Sequence, residues 1–456
     1  MNQGSRMMNR TGRGLLRGSG RVVLAAALLA LLLGTSSLAA APRMVISDHG
    51  AVGDGKTLNT VAIQAAIDRC ATNGGGEIVV PRGTFVSGAI FFKEGVNLVV
   101  EKGGVLKGSQ DTNDFPWINT RIAGLEMKWP AALVNADGLT GFRITGAGTM
   151  DGSGARWWKE YWDARAKAPN RADPHFKIPR PRLVHIINST NVLVRGVTLK
   201  DSAFWNLQLT YCDGVEVRDV VVRAPIAPVR AASSDGIDVD SSRNVLIEGC
   251  DIECADDAIC LKSGRDADGL RVNRPTENVT IRNCRVGNAA GLVVIGSETS
   301  GGIRNVKVLN CRADEGCEEI VRFKTKIGRG GVVEDILYEN ITATGTARVF
   351  SFNMNAFSTM WVPEEFTTPV APELGLPVFR NIVVRNLTAK DCESAGRIAG
   401  LAETPLRNLR LENVTIEAKK GFAIEHTEGL QFENVKLNGQ PLKASSFQTV
   451  SKAAAR

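Results

Sequence analysis

One recurring segment restricts what this chain can fold into. Aligned on itself, the sequence repeats Asn-apolar-x-apolar-x-x-apolar-x-apolar: Asn191-Val-Leu-Val-Arg-Gly-Val-Thr-Leu, Asn244-Val-Leu-Ile-Glu-Gly-Cys-Asp-Ile, Asn278-Val-Thr-Ile-Arg-Asn-Cys-Arg-Val and Asn305-Val-Lys-Val-Leu-Asn-Cys-Arg-Ala. Weaker copies begin at Gly214, Asp335, Asn381, Asn408 and Gly429. The spacing of about 21 to 34 residues, with one longer gap between Asp335 and Asn381, is that of a solenoid. Within each copy the alternation is that of a short strand, and it resumes as a second strand after two turn-like residues. Helical periodicity is almost absent between residues 180 and 440.

Strands that recur once per coil and turn Val, Ile or Leu inward are best satisfied by an all-β, right-handed parallel β-helix. Each strand then pairs with its counterpart about 4.8 Å along the axis. An antiparallel sandwich would need a hairpin turn at every joint, and few Asn-Gly or Asp-Gly pairs stand where they would be required. Leucine-rich repeats are excluded by the missing leucine spacing. An open solenoid end exposes unpaired backbone, so a cap is expected. The amphipathic stretch Thr60 to Cys70, with Asn59 or Thr60 as its N-cap, predicts a capping helix.

The first 41 residues read as an address rather than as structure. Arg6, Arg10, Arg13, Arg17 and Arg21 precede the apolar run Val22 to Leu33, which is followed by small residues from Gly34 to Ala41. About twelve apolar residues are too few to cross a bilayer, so the segment is expected to be a cleaved secretory signal. Residues 42–456 then form a single domain in the periplasm or outside the cell, with no membrane association after cleavage. Losing five arginines lowers the formal charge from +7 to about +2, which gives no electrostatic case for nucleic-acid binding. Nine cysteines are an odd count, and the spacing is not that of a small stapled scaffold. Cys250, Cys284 and Cys311 each lie six residues after a repeat-opening Asn, which suggests stacked buried thiols. No CxxC pair or His cluster is present, so neither a metal nor another cofactor is expected. A monomer is expected.

Three places break the regular array with charge. In Ser233-Ser-Asp235-Gly-Ile-Asp238-Val-Asp240, Ile237 and Val239 alternate inward, so Asp238 and Asp240 point outward and Asp235 sits on the turn before the strand. One coil on, Asp256 and Asp257 hold the same place before Ile259, Leu261 and the outward Lys262. In Val321-Arg322-Phe323-Lys324, Phe323 goes inward and the two cations share the outer face. A lone turn Asp usually bonds its own backbone. Asp235, Asp256 and Asp257 at the same stage of successive coils are instead a like-charge cluster, which raises at least one pKa, as general acid and base catalysis requires. Arg322 and Lys324, three strands away, could receive an anionic substrate without neutralising all the acids.

At these residues the sequence resembles the polygalacturonase family of glycoside hydrolases, family 28, whose members are right-handed parallel β-helices that cleave galacturonic-acid linkages in pectin with inversion. The resemblance runs from about Met44 to about Asn438. It includes Asp48-His-Gly-Ala-Val-Gly-Asp-Gly, Gly74-Gly-Gly-Glu-Ile-Val-Val-Pro, Met150-Asp-Gly-Ser-Gly-Ala-Arg-Trp-Trp, Ser202-Ala-Phe-Trp and Gly296-Ser-Glu-Thr-Ser-Gly-Gly. The family's Asn-Thr-Asp falls on Ser233-Ser234-Asp235, its Asp-Asp on Asp256-Asp257 and its Arg-Ile-Lys on Arg322-Phe323-Lys324.

The resemblance implies that Asp256 is the general acid, that Asp235 and Asp257 hold the attacking water, and that Arg322 and Lys324 contact a substrate carboxylate. Lys262, Asp238 and Trp205 are expected to line the same groove. The other tryptophans, Trp117, Trp129, Trp157, Trp158 and Trp162, are expected mostly as core or loop anchors. Two departures stand out. The family's Gly-His-Gly falls on Ala289-Ala290-Gly291, without the His, and its late substrate-contacting Tyr has no match between Phe350 and Phe357. The first implies another way of tuning Asp256, or weaker catalysis, and a specialised substrate such as rhamnogalacturonan or a decorated galacturonan. The rival readings are a polysaccharide lyase on the same fold and a non-catalytic carbohydrate-binding β-helix. The stretches Asp111 to Leu133, Trp157 to Arg182 and Ser263 to Glu277 are expected to be loops over the groove, long enough to close one end and favour exo cleavage.

Overall fold

The residue that opens each repeat is a left-handed corner. In the computed structural model, which describes residues 42–168, 176–356 and 368–447, Asn191, Asn244, Asn278, Asn305, Asn381 and Asn408 have φ of 52° to 56°. Asn and Gly occupy this region at the lowest steric cost, which is why the weaker copies carry Gly214 and Gly429 at the same corner (φ 72° and 67°). Five residues on, Asn283, Asn310, Asn340, Asn386 and Asn413 make a second such corner (φ 53° to 57°). The carboxamides bond from coil to coil. Asn278 Nδ2 donates to Asn244 Oδ1 at 3.0 Å, Asn305 to Asn278 at 2.7 Å, and Asn408 to Asn381 at 3.0 Å. A second ladder joins Asn310, Asn340, Asn386, Asn413 and Asn434 at 2.9 to 3.2 Å.

Between the corners the strands stack in parallel register into one sheet wound on itself, a right-handed parallel β-helix. The candidate site lies on six consecutive strands of one longer column: β1 (Leu207–Thr210), β2 (Ile237–Asp240), β3 (Asp257–Lys262), β4 (Gly291–Ile295), β5 (Glu319–Lys324) and β6 (Arg348–Asn353). Their inward residues line up, with Leu209, Val239, Leu261, Ile295, Phe323 and Phe352 in one row. Phe323 and Phe352 stack with centroids 4.4 Å apart, which fixes β5 and so aims Arg322 and Lys324 away from the core. On another wall Asp251, Arg285 and Arg312 are register partners. Cys250, Cys284 and Cys311 therefore stack as buried free thiols.

Both ends of the solenoid are covered. Helix α1 (Thr60–Thr72) buries Ile63, Ala66, Ile67 and Cys70 against the first coil. Neither Asn59 nor Thr60 caps it with its side chain. Asn59 bonds Val52 in both directions and donates to Thr57 and Val86, while Thr60 Oγ1 accepts from Gly88. Tying the incoming loop to the first coil takes precedence over the local cap. At the other end the chain turns back as an antiparallel pair, Val435–Leu437 with Gln440–Leu442, and Phe422, Phe432 and Phe447 pack together over the last coil.

The three stretches expected as loops carry structure of their own. Trp117–Ile122 and Leu125–Pro130 form an antiparallel hairpin, Ala155–Lys167 is helix α2 and Asp266–Val272 is helix α3. Helix α2 has its buried residues at helical spacing (Trp157, Trp158 and Tyr161), whereas α3 has seven residues and the hairpin strands six each, too short for a period to show. Trp157 and Trp158 are buried anchors of α2. The expected signal segment lies outside the described residues. Among the described residues no helix is long and apolar enough to cross a membrane.

Asn278 tests the corner directly. Asn278→Ala loses two ladder bonds and places a non-glycine apolar residue in the left-handed region, so it should destabilise the protein by about 2–4 kcal/mol. Asn278→Gly keeps the corner and loses only the bonds, so about 1–2 kcal/mol is expected. Denaturant titration checks the order, and equal losses would mean that the corner conformation costs nothing.

Candidate active site

The residues of β2 that alternation turns outward do point out of the coil, yet they are not solvated. Asp238 and Asp240 point out of the coil and are fully buried, because the hairpin and α3 lie above them. The cover supplies cations. Arg121 of the hairpin pairs with Asp240 at 3.5 Å and donates to Ser241 Oγ at 2.8 Å. Arg182 donates to Gln208, the register neighbour of Asp238.

At the strand entrances the structure brings Asp235, Asp256 and Asp257 together, with one oxygen of each within 4.8 Å of the others. Backbone bonds set their height. Gly236 N donates to Asp257 O at 2.9 Å, Ser234 Oγ accepts from Ala255 N at 2.9 Å, and Asn206 Nδ2 donates to Asp235 O at 3.1 Å. Asp257 is buried and takes two cations from two coils away, Lys324 Nζ at 2.6 Å and Arg322 Nη1 at 3.0 Å. Arg322 crosses the intervening coil over Gly291, where a Cβ would come within 3.2 Å of its Cδ. It also donates to Ala290 O at 3.0 Å and pairs with Glu319 at 2.8 Å. Both cations thus share Asp257, and among the described residues neither pairs with Asp235 or Asp256.

Lys262 is the other hub. Its buried ammonium stands 3.5 Å from Asp235, 3.5 Å from Asp238 and 3.6 Å from Glu298, and 5.4 Å from the Trp205 ring centroid. Glu298 also pairs with Arg265 at 2.6 Å. Asp235, Asp238 and Cys260 form a second close group of possible ligand atoms. Lys262, beside two of those three, already supplies positive charge there.

These neighbours split the carboxyl groups into two classes. Burial, with Asp257 beside it, raises Asp256 above the usual carboxylate range. Burial also raises Asp235 well above that range, with Asp238 and Asp256 adding to it, and pushes Asp238 up to about 7. Burial pushes Asp257 up as well, but Lys324, Arg322 and Lys262 outweigh it and hold the group well below the ordinary value. Glu298 is likewise held down by Lys262, Arg265 and Arg329 against its burial. Asp256 shifted upward beside Asp257 shifted downward is the separation of neighbouring carboxyls that acid catalysis uses.

Above the cluster lies a pocket with about 650 Å³ of empty space. Asp235, Asp256, Asp257, Lys262, Glu298 and Lys324 give it a polar floor, and Trp205, Phe204, Phe176, Trp129 and the hairpin residues Ile122 and Ala123 wall it. The hairpin is fastened down. Arg265 donates from its backbone to Gly124 O at 3.0 Å and from Nε to Ala123 O at 2.7 Å, and Trp129 Nε1 donates to Arg180 O at 2.9 Å. Arg180 is fully buried between the Tyr161 and Phe204 rings, 4.5 and 4.6 Å from their centroids, and donates to Ala203 O and Ala232 O.

Of the sequence-predicted residues, Asp235, Asp256, Asp257, Lys262, Lys324 and Trp205 line the pocket. Arg322 and Asp238 stand behind them. Sequence reasoning missed Glu298, Arg265, Arg180 and Arg121. Glu298 lies within the quoted Gly296-Ser-Glu segment, whereas the arginines lie on stretches with no repeat to mark them.

Comparison with known proteins agrees with this geometry. Residues 70–431 match the family model described as glycosyl hydrolases family 28. A probable polygalacturonase of Vitis vinifera is 31% identical over 382 residues, covering 81% of this chain and 73% of the relative. An exo-poly-alpha-D-galacturonosidase of Dickeya chrysanthemi is 24% identical, covering 91% of this chain and 75% of the relative. The crystal structure of a hyperthermoactive exopolygalacturonase from Thermotoga maritima superposes with a TM-score of 0.76 at 30% identity, covering 88% of this chain and 92% of that one.

The raised Asp238 makes stability depend on pH with a definite sign. Below about pH 3.8 its carboxyl is neutral folded and unfolded, so it costs nothing; above that the unfolded chain ionises first, and the penalty grows until the folded group ionises near pH 7. Asp238→Asn removes the penalty. Its melting temperature should exceed that of the wild type by a few degrees at pH 8, and the gap should close towards pH 4. A gap that is constant with pH would place the effect in packing instead.

Proposed function

The chain belongs to glycosyl hydrolases family 28, and we propose that it is an exported enzyme that removes α-linked galacturonate units from the ends of pectic chains. The pairing of Asp256 with Asp257 beneath a walled pocket carries this reading. Asp256, whose pKa burial and the anionic Asp257 push upward, gives its proton to the glycosidic oxygen. Asp257, fixed as an anion by Lys324 and Arg322, orients the attacking water. Asp235, with an oxygen within 4.8 Å of both, helps to hold that water, whose proton passes to the ionised Asp257. Lys324 and Lys262 on the floor offer charge-assisted bonds to the sugar carboxylate, and Trp205, stacked on Phe204 and beneath Lys262, backs that floor. The anionic Asp257 takes over the tuning of Asp256 that the absent His at Ala290 would otherwise share.

End-on attack is favoured by the wall. Gly124 at the hairpin tip lies so close to Arg265 and Glu298 that a Cβ would meet both within 2.9 Å. A polymer therefore has no passage on that side, and a chain end fits where a chain interior does not. The basic start of the sequence with its apolar run supports export.

Family membership supports inversion, in which the water attacks the face of the sugar opposite the leaving group. Proton NMR of galacturonan digestion should show short products released from chain ends, with the β-anomer appearing first. First release of the α-anomer would make a carboxylate of this cluster the nucleophile, and early internal cuts would remove the end-on reading.

Asp256→Asn keeps the shape and removes the acid. Turnover on galacturonan should fall by about 10²-fold or more, while titration calorimetry still detects substrate binding. Near-wild-type turnover would move the acid role elsewhere in the cluster.

A further inference from the structure

Asp256 borders two recesses. Besides the walled pocket it lines a second hollow with about 590 Å³ of empty space, on the far side of the Tyr161–Arg180–Phe204 sandwich. Helix α2 supplies Tyr161, Trp162 and Arg165, and the turn before β2 supplies Arg230. The two hollows meet at Ser233 and Asp256.

The chemistry of this hollow is cationic and built. Arg165 Nη1 donates to Tyr161 Oη at 2.8 Å, and its guanidinium lies 5.2 Å from the Trp162 ring centroid. Trp162 Nε1 in turn donates to Arg230 O at 2.7 Å, and Arg230 donates to Ala255 O. Arg165 and Arg230 are thus held by a ring, a phenol and a carbonyl. Among the described residues neither has a carboxylate partner, although most arginines along the strand ladders do. Two positioned guanidinium groups without a counterion, beside the acid that meets the glycosidic oxygen, are matched by a carboxylate-bearing sugar, since a guanidinium binds a carboxylate in a planar fork.

Resting on the function proposed above, we infer that this hollow holds the galacturonate unit on the other side of the cleaved bond from the walled pocket, its carboxylate read by Arg165 and Arg230. Asp256 then stands between two sugar sites, where a leaving-group acid has to be. Helix α2 becomes a specificity element: methyl-esterified units, which lack the charge, are discriminated against there.

The test compares trigalacturonate with its methyl-esterified counterpart as substrates for the wild type, Arg165→Gln, Arg230→Gln and the double variant, with melting curves to confirm folding. The double variant should show a KM for the free acid raised about tenfold, and its preference for free acid over ester should shrink by a similar factor. If Arg165→Gln disturbs folding, Arg230→Gln alone, at an exposed position, should raise KM about threefold. Unchanged KM and unchanged ester discrimination in folded variants would overturn the assignment of this hollow while leaving the hydrolase reading intact. A wild type that neither cleaves nor, by titration calorimetry, binds trigalacturonate would overturn both.

Discussion

Everything in this molecule follows from stacking like on like. A parallel β-helix sets each residue over its counterpart about 4.8 Å away, so a side chain tolerated once is repeated down the wall. Neutral groups profit. Asn passes hydrogen bonds along the ladder, Cys and Val fill the same row, and Phe323 lies flat on Phe352. Carboxylates do not profit, because the same register presses Asp235 towards Asp256 and Asp257. The site is the place where the repeat rule is broken at an electrostatic cost, and Lys262, Arg322 and Lys324 are the local compensation.

That compensation explains why two adjacent aspartates differ. Asp256 and Asp257 share a turn, yet the cations reach only one of them closely: Lys324 and Arg322 both end on Asp257. Gly291 makes this possible by leaving Arg322 a path over the intervening coil. A side chain at that position would crowd Val294 and press on the Arg322 stem.

The solenoid was legible because its cause is local. A corner that needs a left-handed residue shows as Asn or Gly, and two such corners five residues apart show as the repeat. Asp235, Asp256 and Asp257 were legible for the same reason, being charges set at fixed places in a known period. What covers the groove was not. The hairpin, α2 and α3 are single insertions with no second copy to compare, and their contacts span long separations, such as Arg121 to Ser241 across 120 residues. The burial of Asp238 and Asp240 could not be read from alternation, which distinguishes inward from outward but not covered from bare. Glu298 was visible in a motif and still gave no role, because its partners Lys262 and Arg265 come from a different coil.

The asparagine ladders have a polarity. Each carboxamide gives its hydrogen towards the preceding coil and accepts from the next, so the amide dipoles all point one way and polarise one another. An aspartate can accept but has nothing to give, so it can stand only on the first rung. That is where Asp335 is, accepting from Asn381; at the start of the other wire, where the corner is Gly214, Asn244 donates instead to the neighbouring Asp213. Asp335 thereby divides one column into two shorter wires, while the column from Asn310 to Asn434 runs unbroken. Conversion of an interior rung from amide to acid, the common chemical ageing of asparagine, would cut a wire at that coil and turn oxygen towards oxygen.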